Sequence, residues 1–127
     1  MQDRVTFEYA IIRVVPKVER EEFFNVGVIL FSKRKKFLGV KYYIEQKKLA
    51  AFSSDLELET LNDHLKAWEL ICEGNPSGGA IGQLELSDRF RWLAACRSTI
   101  IQSSQTHPGL CHDPQLELQD IFKKYVL

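Results

Sequence analysis

The sequence has little cysteine and no excess of charge of either sign. Only 3 of its 127 residues are cysteine, and a small odd number favours reduced thiols over a disulfide framework. Its 17 basic side chains are balanced by 17 acidic ones, which argues against polybasic nucleic-acid binding as the main role. We therefore expect a cytoplasmic protein that does not depend on nucleic acid.

Long apolar runs are also missing. No stretch approaches the roughly 20 apolar residues that a membrane span needs, and residues 1–4 lack the apolar segment of a secretory leader. Apolar residues nevertheless make up 45% of the chain, which is ordinary for a globular domain with one buried core. We expect a single domain over residues 1–127 without a membrane segment.

Recognisable catalytic motifs are absent as well. The sequence contains no GxGxxG, Walker loop, HExxH, GxSxG or CxxC pattern, which excludes P-loop enzymes, zincins and α/β-hydrolases. This absence favours a protein that is not an enzyme, and it gives no reason to expect a cofactor.

Three apolar segments with short connections predict an antiparallel meander. Residues 6–15 are rich in β-branched and aromatic side chains and end at Pro16, as expected of a strand. Residues 23–31 (FFNVGVILF) are almost continuously apolar, which is typical of a strand covered on both faces. Residues 37–44 form the third predicted strand, and connections this short join antiparallel neighbours.

Helical spacing follows the strands. Leu58, Leu61, Leu65, Trp68 and Cys72 recur every three or four residues, which predicts an amphipathic helix. Gly74 fits its C-terminal cap. We expect shorter helices over 45–52 and around Phe90, a fourth strand over 98–104, a loop over 75–82, a turn at 107–109, and a last helix starting at Asp113 and Pro114.

The predicted fold class is α+β, a mostly antiparallel sheet of about four strands with helices packed on one face.

Charge is distributed unevenly along the chain. Residues 1–50 carry 11 basic and 6 acidic side chains, and residues 51–127 carry 6 and 11. The asymmetry is compatible with docking of an acidic partner on one side. The alternative is that the two halves fold onto each other and neutralise.

Polar residues in the first two strands mark a candidate binding site. Arg13 interrupts an apolar strand, and a buried guanidinium needs a fixed anionic partner. Asn25 interrupts the second strand, and strand periodicity places it on one face with Phe23, Gly27 and Ile29. Gly27 would leave that face open beside the Asn25 amide for a ligand or another backbone.

The connection between these strands offers partners for the cations. Glu19, Glu21 and Glu22 can pair with Arg13 or Arg20. The structural alternative is an ion pair that fixes the first hairpin. The functional hypothesis includes Arg20 and Glu21 in the ligand-binding site.

A second polar group is formed by Arg97, Ser98 and Thr99 with Gln102. A cation and two hydroxyls suit a phosphate or a carboxylate. Alternatively, the hydroxyls close a corner between helix and strand by local hydrogen bonds.

Two further clusters favour structural explanations. Cys96, His107, Cys111 and His112 are zinc-ligand types, but their spacing matches no standard finger, and we predict no metal site. Cys111 as a nucleophile, with His107 or His112 as its base, is a weaker hypothesis than the metal site. The cations at residues 33–36 are typical of an exposed hairpin turn, with phosphate contact as the alternative.

Three stretches together resemble a known family. They are YAIIRVVPKVEREEFFNVGVILF, RFRWLAACRSTIIQSS and THPGLCHDP. Across residues 7–126 the chain is similar to the bacterial family catalogued as domain of unknown function 3037. The family pattern falls on the following positions: Arg13, Pro16, Arg20, Glu21, Asn25, Gly27, Arg97, Ser98, Thr99, Gly109 and Asp113. The resemblance implies a small bacterial cytoplasmic protein and no particular reaction, and its association with HipA-like kinases suggests a kinase partner.

Three functional hypotheses follow. The first is a non-enzymatic protein-binding or adaptor domain that docks a partner through its sheet, and the family resemblance suggests a HipA-like kinase to which it would be accessory. The second is a small enzyme or ligand-binding domain in which Arg13, Glu21, Asn25 and Arg97 surround one phosphate or carboxylate ligand. The third is nucleic-acid binding through the basic half, which includes residues 33–36, Lys41, Lys47 and Lys48. The sequence leaves the oligomeric state open.

Overall fold

A computed structural model of the chain describes residues 4–16, 18–52, 56–96 and 100–127. These residues form an antiparallel sheet whose strands are β1 (Val5–Val14), β2 (Phe24–Ser32), β3 (Phe37–Tyr42), β4 (Ile101–Ser103) and β5 (His107–Cys111). The helices are α1 (Gln46–Phe52), α2 (Leu58–Glu73), α3 (Gly79–Gly82), α4 (Leu86–Ala94) and α5 (Pro114–Tyr125). The predicted α+β class and N-terminal meander are confirmed.

The sheet has β1 near its centre. β3, β2 and β1 are neighbours in that order, and the other edge of β1 pairs with two short strands. β5 pairs with the first half of β1, from Val5 to Tyr9, and β4 pairs with its end, from Ile12 to Val14. All four pairings are antiparallel.

One strand was not expected. Residues 107–109 were predicted as a turn, but they belong to β5. Proline is tolerated there because β5 lies at an edge of the sheet. Gly109 fits because the ring of Phe7 packs over it, so closely that a Cβ atom would stand 2.5 Å from the ring. The predicted loop over 75–82 likewise contains a 3₁₀ turn (Pro76–Gly78) and α3.

Both faces of the sheet are covered by helices, although one helical layer was expected. On one face, α2 and α4 pack over Ala10, Ile12, Val14 and Ile29. We call this the α2/α4 face. On the other, α5 buries Leu118, Ile121 and Phe122 against Val5, Phe7, Val28 and Leu30, and we call this the α5 face. Side chains of β2 enter both cores, which explains its nearly continuous apolar sequence.

Helix ends follow the predicted signals. Gly74 ends α2 in the left-handed conformation with a φ of 69°, as a glycine cap does. The Asp113 side chain accepts a hydrogen bond from the backbone N–H of Gln115 and so caps α5, with Pro114 in the first turn. Because only His112 separates β5 from this cap, α5 turns back directly over the sheet.

The two helical covers differ in extent. α5 packs on β2 and β3, whereas Arg13 of β1 and Gln102 of β4 remain only half-buried. The α5 face therefore retains an accessible region at the end of β1.

Candidate functional site

A β-bulge decides which polar side chains meet. The pairing of β1 with β2 shifts its register between Ile12 and Arg13, so that Ile12 lies opposite Gly27 and Arg13 opposite Asn25. Val26 is the extra residue of β2. A bulge reverses the alternation of side chains along the strand that carries it.

The prediction that Asn25 and Gly27 share a face is wrong, because the bulge lies between them. Asn25 lies on the α5 face, where its side chain contacts the end of α5. Gly27 is directed to the α2/α4 face, where a Cβ atom would meet the Ile12 side chain at 3.2 Å and the carbonyl oxygen of Lys41 at 2.8 Å. Gly27 therefore permits close approach of the β3 backbone and does not line the cavity beside Arg13.

Three polar residues form a row across the sheet. Arg13 of β1 lies opposite Asn25 of β2 on one side and opposite Gln102 of β4 on the other. Directly opposed residues in antiparallel strands point to the same face. The row consequently presents a guanidinium between two amides on the α5 face.

An aromatic ring holds the guanidinium. The Cζ atom of Arg13 lies 4.0 Å from the centroid of the Phe23 ring, a cation–π distance. The Nε atom of Arg13 is buried, while 42% of Phe23 is exposed. The stacked pair thus fixes the cation at the surface.

These residues surround a cavity of about 290 Å³. Among the residues that the structure describes, Arg13, Val15, Glu21, Phe23 and Gln102 line it, and we call it the Arg13 cavity. Glu21 follows the 3₁₀ turn Val18–Arg20 and has a left-handed backbone with a φ of 56°. The described part of its lining therefore offers one cation, one anion, one amide and two apolar surfaces.

Asn25 faces a neighbouring cavity. Its Nδ2 donates a hydrogen bond of 3.1 Å to the carbonyl oxygen of Tyr125 at the end of α5. It lines a separate cavity of about 190 Å³ together with Tyr43, Glu45, Lys48, Val126 and Leu127. Asn25 thus belongs to the polar row and anchors α5, but it does not line the Arg13 cavity.

Arg20 pairs locally. Its Nε lies 2.7 Å from a carboxylate oxygen of Glu22, and both side chains are exposed. This ion pair is one of those predicted from the sequence of the connection between β1 and β2. Because the pair is exposed, its contribution to stability is small.

Arg97, Ser98 and Thr99 lie outside the described residues. The chain is described again from Ile100, whose carbonyl oxygen accepts a 2.7 Å hydrogen bond from the N–H of Val15. The N–H of Ser103 donates to the carbonyl oxygen of Cys96 at 2.7 Å. A shared cavity for Arg13 and Arg97 stays a prediction.

An aromatic cluster adjoins the polar row on the α5 face. The Tyr9 ring lies 5.3 Å from His107 and 6.5 Å from Tyr125, measured between centroids. Burial raises the pKa of Tyr9, and the Tyr125 hydroxyl raises it further. The carbonyl oxygen of Tyr125, which accepts from Asn25, links the cluster to the polar row.

The cysteines and histidines do not form a metal site within the described ranges. Cys111 is buried in the core of the α5 face, whereas Cys96 packs against the core of the other face. Burial raises the pKa of both thiols. A raised pKa disfavours the thiolate that a nucleophilic site needs.

A further cavity among the described residues is chemically mixed. It has a volume of about 540 Å³ and lies between the end of β3 and the start of α2, lined by Tyr42, Tyr43, Ile44, Glu45, Gln46, Lys47, Leu58 and Asn62. The Tyr42 hydroxyl beside it donates a 2.7 Å hydrogen bond to Glu69. Burial and this bond raise the pKa of Tyr42 to about 12, so the phenol stays neutral.

Sequence reasoning found most of the polar row and missed the way it is assembled. Arg13, Asn25, Glu21 and Gln102 were all singled out, but Gln102 was grouped with Arg97 rather than with Arg13. The contact of Phe23 with Arg13 was also missed. The position of Phe23 and Arg13 in one antiparallel hairpin was a signal for their contact. The extra residue Val26 shifts the pairing of the strands, so strict alternation gives the wrong neighbours.

No helix within the described part of the chain is long and apolar enough to cross a membrane. Comparison with curated proteins and with solved structures gives no significant match. Residues 9–126 match the family described as Protein of unknown function (DUF3037). The match includes β5, α5 and the polar row, and the chain therefore belongs to the DUF3037 family.

Proposed function

We propose that the protein is a non-enzymatic binding domain that docks a protein partner on the accessible part of its α5 face. Arg13 and Phe23 are the proposed anchors, and an acidic group of the partner is received in the Arg13 cavity. The observation that carries the proposal is the guanidinium stacked at 4.0 Å on a ring that is 42% exposed.

The residue types support protein recognition. Arginine and large aromatic side chains dominate the binding energy of protein interfaces. Stacking on Phe23 restricts the Arg13 side chain before binding, which lowers the entropy lost on association.

The cavity is large enough to receive a partner's side chain. Pockets for small molecules enclose roughly 300–1,000 Å³, and the Arg13 cavity, with about 290 Å³, lies at the lower end of this range. An acidic side chain of the partner occupies part of this volume, while the rest of the partner lies over Phe23 and the surface around it. The basic composition of residues 1–50 agrees with an acidic partner.

A small anionic ligand is the second candidate. It is supported by Arg13 in the lining of the cavity. Glu21 lines the same cavity, as the hypothesis expected, but its carboxylate repels an anion. Asn25 lines the neighbouring cavity instead. The proposed kinase partner, bacterial origin and cytoplasmic location stay predictions.

Nucleic-acid binding receives less support from the placement of the cations. The exposed residues 33–36 form the turn between β2 and β3, whereas Lys47 and Lys48 lie on α1 beyond the other end of β3. A strand of this length separates the two groups by roughly 20 Å.

The test is a selection with defined peptides. A display library of random peptides is selected on the full immobilised chain, and enriched peptides are measured by fluorescence anisotropy. We expect enrichment of Asp or Glu, and about tenfold or greater loss of affinity for Arg13→Met. Arg13→Lys, which keeps the charge without the planar fork, should lose part of the affinity.

Arg91→Met is the matched control. Arg91 is also a guanidinium beside an aromatic ring, and it pairs with Glu8 at 2.6 Å, but it lies on α4. Its replacement should leave peptide binding within about twofold. Selection of peptides without acidic residues, or equal binding by Arg13→Met, would contradict the proposal. Displacement of the peptides by inorganic phosphate alone at the same site would favour the second candidate.

A further inference from the structure

Two residues other than glycine have a left-handed backbone among those described. They are Glu21, with a φ of 56°, and Lys36, with a φ of 51°. A side chain crowds the backbone in this conformation, and glycine avoids the crowding because it has no Cβ atom. Glycine would relieve this crowding at both positions, so each side chain needs a physical explanation.

Lys36 is explained by its place in a turn. It ends the exposed connection between β2 and β3, and its backbone N–H donates a 3.1 Å hydrogen bond to the carbonyl oxygen of Lys33. Its side chain is exposed among three other cations. A solvated, charged hairpin turn also discourages pairing with other chains.

Glu21 differs because its side chain lines the Arg13 cavity. It directly follows the 3₁₀ turn Val18–Arg20, a position where glycine or asparagine is the common choice. Unfavourable backbone conformations that persist beside a cavity are found at functional sites. A carboxylate thus shares the lining of one cavity with the guanidinium of Arg13 and the amide of Gln102, at a position whose backbone favours glycine.

We propose that Glu21 determines specificity by selecting partner segments in which a basic residue accompanies the acidic one received by Arg13. The inference rests on the proposed function of this same surface. A carboxylate accepts strong hydrogen bonds from lysine or arginine. It also repels a segment that carries only negative charge, so the site discriminates by attraction and by repulsion.

The first test compares selections on two chains. A peptide library with one fixed Asp and random neighbours is selected on the full wild-type chain and on Glu21→Gln, which keeps the size of the side chain. We expect Lys or Arg to be enriched beside the Asp only on the wild type. An enriched lysine peptide should bind Glu21→Gln about tenfold more weakly. Its norleucine version, which carries only the Asp charge, should bind Glu21→Gln more tightly than the wild type, because the repulsion by Glu21 is removed.

The second test measures stability together with binding. Glu21→Gly and Lys36→Gly should each raise the melting temperature by about 2–4 °C, because both relieve a left-handed side chain. Only Glu21→Gly should lose discrimination between the lysine and norleucine peptides. Failure of Glu21→Gly to raise the melting temperature would overturn the argument from backbone strain.

The outcomes separate this inference from the proposed function. Loss of binding in Arg13→Met with unchanged selectivity in Glu21→Gln would overturn the role of Glu21 alone. Unchanged binding in Arg13→Met would overturn the proposed function, and this inference with it.

Discussion

The two faces of the sheet are covered to different extents. On the α2/α4 face, two helices bury apolar side chains of β1 and β2 along most of their length, including Ala10, Ile12 and Val14. On the α5 face, one helix covers β2 and β3 and leaves Arg13 half-buried at the end of β1. The α2/α4 face therefore contributes to stability, whereas the α5 face contributes to stability and also presents an accessible polar row.

The contrast is sharpest at the end of β1, because neighbouring residues serve different purposes. Ile12 and Val14 are fully buried on the α2/α4 face, while Arg13 between them stacks on the exposed ring of Phe23. A single strand thus contributes apolar side chains to a core and a guanidinium to a surface.

The largest expected effect is the loss of a ring from the α2/α4 face. Phe90 of α4 is fully buried and stacks on Phe31 with 5.2 Å between centroids. Phe90→Ala should lower the free energy of unfolding by about 3–5 kcal/mol, because it leaves a cavity in the core. Chemical denaturation measures this loss. Trp92→Ala, at a position 46% exposed on the same helix, should cost much less, and equal losses would disprove the assigned burial.

A smaller effect is expected at the bulge that separates the faces. A Cβ atom at Gly27 would stand 2.8 Å from the carbonyl oxygen of Lys41 and 2.9 Å from the Cβ atom of Tyr42. Gly27→Ala should cost about 1–3 kcal/mol, because backbone cannot move aside easily. At Gly39 on the α5 face the nearest atom, at 2.7 Å, is the ring tip of Phe37.

Gly39→Ala is therefore the control for the bulge. The Phe37 ring can move aside, so we expect Gly39→Ala to lower the midpoint of denaturation less than Gly27→Ala does. The opposite order would show that β3 does not press against Gly27 as described.

The smallest effect concerns a polar contact on the α2/α4 face. Tyr42→Phe removes the hydrogen bond to Glu69 and should cost about 1 kcal/mol near neutral pH. Burial first, and then this bond, raise the pKa of Tyr42 from 10.0 to about 12. The contribution is therefore complete below the unfolded-state pKa and is lost as the pH rises through the folded-state pKa.

The pH dependence provides the check. Denaturation of wild type and Tyr42→Phe from about pH 7 to about pH 12 should show a constant difference at first and a shrinking difference above about pH 10. The hydrogen bond to Tyr42 also lowers the pKa of Glu69, so Tyr42→Phe should raise it. A difference that grows with alkaline pH would contradict the assignment.

Local signals in the sequence predicted most elements, because each is set by neighbouring residues. Pro16 limits β1, Gly74 ends α2, and Asp113 with Pro114 starts α5. The continuous apolar run of β2 already required cover on both faces. The expectation of helices on one face overlooked this requirement, since helical periodicity says which side of α5 is buried but not which face of the sheet receives it.

The site was predicted in its residues but not in its geometry. Arg13 and Asn25 were identified because polar groups interrupt apolar strands. Their alignment with Gln102 depends on the bulge at Val26 and on the pairing of β4 with the end of β1, which are contacts between distant parts of the chain. Strict alternation would have placed Gly27 beside Asn25, and tertiary packing against Lys41 overrides it.

One paired measurement tests the assignment of recognition to the α5 face most directly. Phe23 and Phe52 are matched in exposure, at 42% and 41%, but Phe23 stacks on Arg13 and Phe52 packs on Phe24 of the α2/α4 face. Phe23→Ala and Phe52→Ala should each change the free energy of unfolding by roughly 1 kcal/mol. Affinity for acidic peptides selected on the wild-type chain should fall about tenfold for Phe23→Ala only; equal affinity for those peptides in Phe23→Ala and wild type would contradict the account.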